Sequence, residues 1–78
     1  MVALYSTANH AYYMREVLTR SGIDTKVVSI PGSISKGSCT TALDFDSRHS
    51  AAVVRLSSNN RCPVQQLYKV EYGRYIPV

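Results

Sequence analysis

The chain has 78 residues, nine Lys+Arg against five Asp+Glu, a net charge of +4 and two cysteines. A chain this short reads as one domain, residues 1–78, that buries roughly 60% of the surface its unfolded form exposes. That leaves no room for an enclosed cofactor cavity beside a separate substrate site, so no cofactor is expected. The positive residues are scattered from Arg15 to Arg74 without a basic block, which gives little footing for nucleic acid.

Val2 to Tyr5 is short, apolar and rich in β-formers, and predicts a buried first strand. Ser6 or Thr7 then offers a hydroxyl cap for a helix from about Ala8 to Ser21. Ala11, Met14, Val17 and Leu18 share one face of it, Glu16 and Arg20 stand four apart in the favourable order, and Gly22 is placed to end it. Ile23 to Ile30 is β-branched and apolar, a second strand stopped by Pro31.

The stretch Pro31-Gly32-Ser33-Ile34-Ser35-Lys36-Gly37-Ser38-Cys39-Thr40-Thr41 is the most unusual in the chain. It is polar, locally basic and rich in glycine and hydroxyls, a surrounding in which a thiol can become a thiolate. Thr40 to Phe45 predicts a third strand, antiparallel to the second, with this loop as the tip of a wide hairpin.

Asp46 or Ser47 caps a second helix through about Ser58, although Val53 and Val54 also allow a strand turning at Asn59-Asn60. Val64 to Val70 is the last strand, and Glu71 to Val78 reads as a tail. The order β-α-β-β-α-β points to an α+β fold, a small ferredoxin-like βαββαβ two-layer sandwich with a core over about residues 2–70.

Cys39 is the candidate working thiol, with Lys36, Gly37, Ser38 and Thr40 as groups able to stabilise its anion. The alternative is a small loop residue without reactivity. Cys62, before Pro63, is either a second thiol or a semi-buried strand-start residue. His10 either packs in the first helix turn or approaches Cys39 from a neighbouring strand end. Two Cys and two His without any close ligand pair argue against zinc. Lys36-Gly37-Ser38 reverses the Gly-Lys order of a nucleotide loop.

These elements resemble a family of small bacterial domains named as selenium/sulfur carrier-like. The resemblance lies in Tyr5-Ser6-Thr7-Ala8-Asn9-His10-Ala11, in Gly22-Ile23 through Ser29-Ile30-Pro31, and in the cysteine loop. Two positions depart from the family pattern. Gly32 stands where the family has arginine, and Ser38-Cys39 replaces Cys-Gly, which shifts the thiol by one residue.

The resemblance implies a bacterial, cytoplasmic accessory carrier rather than a stand-alone enzyme, with Cys39 accepting sulfur or selenium from one protein and passing it to another. A second reading is a dimerising interaction module that uses the tyrosine-rich tail. A third, RNA stacking on the tyrosines, rests on charge and aromatics alone. No apolar stretch approaches membrane-spanning length, and the apolar start is too short for a signal peptide, so no membrane partner is expected.

Overall fold

The computed structural model describes residues 1–35 and 40–78. Strand β1 (Val2–Leu4) is buried along its whole length. It gives way at Ser6-Thr7 because Thr7 is extended and its hydroxyl accepts the His10 N–H at 3.2 Å, satisfying one of the unpaired donors at a helix start. Helix α1 (Ala8–Arg20) follows and buries Ala11, Met14 and Leu18.

Glu16 and Arg20 pair at 3.7 Å on the exposed side of α1. Its exit is closed twice: Gly22 N–H donates to Thr19 O at 3.1 Å and Ile23 N–H to Leu18 O at 2.8 Å. That pattern requires a left-handed residue, and Gly22 supplies it with φ of 82°. Ile23 is buried in the same core cluster as Leu18. It is therefore part of the helix stop rather than the first residue of the second strand.

Strand β2 (Thr25–Ser29) and strand β3 (Thr41–Phe45) pair antiparallel, as the sequence suggests. Between them Gly32–Ser35 forms a single helical turn, α2, where a loop was expected. After β3 a 3₁₀ turn (Ser47–His49) begins with the Asp46 carboxylate accepting the Arg48 N–H at 3.1 Å. That bond, with lesser help from the positive charges of Arg48 and His49, holds the Asp46 carboxyl below its ordinary value of 3.8.

Helix α3 (Ser50–Asn59) continues from the turn, with Val53 buried and Val54 exposed. The rival hairpin through Asn59-Asn60 does not form. The helix stops like α1: Arg61 N–H donates to Ser58 O at 3.1 Å and Cys62 N–H to Ser57 O at 2.9 Å. Here the left-handed residue is Arg61, with φ of 60°. A side chain in that conformation costs about 1–2 kcal/mol. Arg61→Gly is therefore expected to stabilise the protein by about 1 kcal/mol, read as a rise in melting temperature.

The stretch expected to be an unstructured tail is instead half of a hairpin. Strand β4 (Gln66–Glu71) turns through Tyr72 and Gly73, with φ of 51° and 76°, into strand β5 (Arg74–Pro77). Two consecutive left-handed residues make the turn whose twist matches the strands on either side.

Among the described residues the result is a five-stranded antiparallel sheet in the order β2-β3-β1-β4-β5 with three α-helices. The expected six-element order is thus extended by α2 and β5. Alternation along the strands splits the apolar residues between two faces. Ala3, Leu43 and Phe45 join Ala11, Met14, Leu18 and Val53 of the long helices in one cluster. Val2, Leu4, Ala42 and Tyr68 point the other way and form a second cluster with Ile30, against which Ile34 and Tyr75 pack.

Candidate functional site

The register brings four chain segments to one end of the sheet. Leu4 stands opposite both Ala42 and Gln66, and Ser29 stands opposite Thr41. The same end therefore carries the start of α1, the segment between β2 and β3, and the approach to β4. Gln65 N–H donates to Leu4 O at 2.8 Å and Ile30 N–H to Thr40 O at 2.8 Å, so the rim is tied together by backbone bonds.

Lys36, Gly37, Ser38 and Cys39 lie outside the described residues. What the structure describes is their frame. On the near side, Ile34 N–H closes α2 onto Pro31 O at 2.9 Å, and the Tyr68 hydroxyl donates to Ile34 O at 3.4 Å. The Ile34 side chain packs on the cluster of Val2, Leu4, Ala42 and Tyr68. Tyr75 meets Tyr68 edge to face, with ring centroids 6.3 Å apart. The turn Gly32–Ser35 is thus moored on the sheet face opposite the two long helices. On the far side, Thr40 is exposed while its carbonyl is held by Ile30.

The seat formed by Ile34 and Tyr68 is not in the sequence reading. Its one signal is that Ile34 is the lone large apolar residue between Pro31 and Thr41.

His10 is half-buried in the first turn of α1, and its Nδ1 lies 3.2 Å from the Ser6 hydroxyl. It shares the sheet end with Ile30 and Thr40. No acidic residue occupies the first turn of α1, so the Thr7 hydroxyl caps the helix start without a carboxylate to offset its partial positive charge.

Cys62 has a different setting. It is 5% exposed, free, and part of the core cluster beneath α1 and α3. Close by, the Tyr5 hydroxyl and the Ser57 hydroxyl bond at 2.7 Å in the interior. Burial pushes the Tyr5 hydroxyl above its ordinary value of 10.0, against the opposing pull of the Ser57 hydrogen bond. Tyr5 and Tyr68 are both buried, whereas Tyr12, Tyr13 and Tyr72 are exposed.

Among the described residues no cluster of three or more His, Cys, Asp or Glu could hold a metal ion. No described helix is long and apolar enough to cross a membrane. One surface depression runs along α1 by Tyr12, Arg15, Glu16, Thr19 and Arg20, and another lies at the far end of β2 by Asp24, Lys26 and Asp46.

No curated protein and no solved structure matches the chain. A family model does: the one described as "Putative Se/S carrier protein-like" matches residues 1–69, which takes in α1, the cysteine segment and most of β4. The match covers most of the chain, and the protein therefore belongs to the Se/S carrier protein-like family.

Proposed function

We propose that this protein is an accessory carrier that holds a sulfur or selenium atom on Cys39 between a donor and an acceptor protein. The observation that carries the reading is the family membership. The burial of Cys62 supports Cys39 as the carrier, because a thiol that is 5% exposed inside the core is closed to a protein-sized donor.

The chemistry needs no outside oxidant if the donor presents a persulfide. The Cys39 thiolate attacks the outer sulfur, a new S–S bond forms, the donor's S–S bond breaks, and the donor's inner sulfur leaves as a thiolate. Delivery repeats the exchange with the acceptor as nucleophile, and a donor carrying selenium as its outer atom reacts in the same manner. Lys36, Gly37, Ser38 and Thr40 are the groups assigned to stabilise the anion. The start of α1, with no acidic side chain in its first turn and at the same sheet end as Ile30 and Thr40, adds a favourable dipole for negative charge there.

In the finer reading of the fold, the sheet is a split βαβ core, β1 to β4, with β5 added at one edge.

The test is loading from a persulfide-bearing donor, read by intact-protein mass spectrometry. Wild type and Cys62→Ser are expected to gain one sulfur atom that a thiol reductant removes. Cys39→Ser is expected to gain none. Loading that survives Cys39→Ser would sink the proposal, as would a wild type that never loads.

A further inference from the structure

The two edges of the sheet are not equivalent. At the β5 edge Val78 N–H donates inward to Leu67 O at 3.0 Å. In an antiparallel ladder the inward and outward directions alternate, so Pro77 occupies an outward position. Proline has no N–H to offer there, and a donor is missing from that edge.

At the β2 edge Ile30 N–H donates inward to Thr40 O, so Val28 and Lys26 also face β3 and Thr25, Val27 and Ser29 face outward. Each of these three presents both an N–H and a C=O, and no proline interrupts them. Beside them is an orphan: the Thr25 hydroxyl is buried with no hydrogen-bond partner.

We infer that the β2 edge is a two-fold interface at which a second copy of this chain adds its own β2 antiparallel, centred on Val27. The pattern Thr-x-Val-x-Ser reads the same class of residue in both directions, which is what an isologous interface demands. Thr25 then faces Ser29 of the second copy, Val27 faces its counterpart, and each facing pair exchanges two backbone hydrogen bonds.

Thr25 comes opposite Ser29 of the second copy, a Thr–Ser cross-strand pair of the kind that stabilises sheets. Charge does not oppose the approach, because Lys26 stands opposite Asp44 within its own chain and Asp24 adjoins it. Two sheets become one continuous sheet whose outer edges are both β5. The blunting of β5 by Pro77 stops the assembly at two copies.

The inference is independent of the carrier reading and is tested on the full chain by sedimentation equilibrium. Wild type is expected at twice the chain mass. Val27→Pro removes an outward N–H together with a side chain that packs on the core, and Ser29→Pro removes an outward N–H and a hydroxyl at an exposed position. Each is expected to weaken association on the order of 10-fold or more, with an unchanged far-ultraviolet circular dichroism spectrum. If Val27→Pro misfolds, Ser29→Pro decides. A wild type that stays monomeric up to millimolar concentration overturns the inference, as does a dimer that Ser29→Pro leaves equally tight.

Discussion

Leu43→Ala is expected to cost about 3 kcal/mol, within the usual range of about 2–5 for removing a buried leucine side chain. Leu43 is fully buried in β3, with Ala3 opposite on one side and Val27 on the other. It faces the cluster in which Met14, Leu18 and Val53 meet the sheet. Small residues surround the vacated space on the β1 side, and β3 is pinned between two strands. Little can move in to fill the cavity, and the cost stays near the full value.

A domain of this size has a total stability of only about 4–12 kcal/mol. The loss is therefore a large fraction of what holds the chain folded. It should appear in urea as a lower midpoint at an unchanged slope. A midpoint that hardly shifts would mean that Leu43 is less tightly enclosed than its burial implies.

The second large effect is expected at the Tyr5–Ser57 pair. Ser57→Ala leaves the Tyr5 hydroxyl buried without a partner and should cost about 1–3 kcal/mol. Tyr5→Phe should cost less, because the Ser57 hydroxyl can turn to a carbonyl of its own helix one turn back. The double substitution should cost less than the sum of the two, since neither orphan remains. Additive costs would show that the 2.7 Å bond contributes nothing of its own.

The same pair carries a pH dependence. In the folded protein Tyr5 keeps its proton above pH 10.0, where the unfolded chain begins to lose it. The unfolded state then binds fewer protons than the native state, so stability falls as pH rises. The contribution of Tyr5 is complete below about pH 10 and is lost progressively above it. Tyr5→Phe should flatten this alkaline limb of a stability profile measured with urea. An unchanged limb would assign the effect to other groups.

Helix α1 was legible from sequence because local signals agreed. Thr7 supplies the cap, Ala11, Met14 and Leu18 repeat on one face, and Gly22 closes the end. Helix α3 was legible as an alternative to a hairpin. Its Ala-rich start favours helix, and the burial of Val53 with exposure of Val54 suits a helical face.

The β4–β5 hairpin was not legible. Tyr-Gly is an uncommon pair for a turn that usually takes Asn-Gly, and it is the pairing of Tyr68 through Glu71 with their partners that holds it. Nor was α2, whose single turn owes its place to the seating of Ile34 on the second cluster rather than to helix propensity. The position of the candidate site at one sheet end followed from element order. The burial of Cys62 was legible as one of two readings, and its full extent depends on Arg61 taking a left-handed conformation that directs the chain back into the core.

The anchors on either side of the cysteine segment bear on the carrier role proposed above. Ile34 is held on the sheet by its side chain and by Tyr68, and only five residues separate it from Thr40, whose carbonyl is fixed to Ile30. Cys39 is the neighbour of Thr40 in the chain, one peptide unit from an anchored backbone, and adjacent Cα atoms are about 3.8 Å apart. On the carrier reading proposed above, chain length alone gives the thiol a short tether from Thr40. We propose on that reading that each partner brings its own reactive group to the rim that Ile30 and Thr40 define.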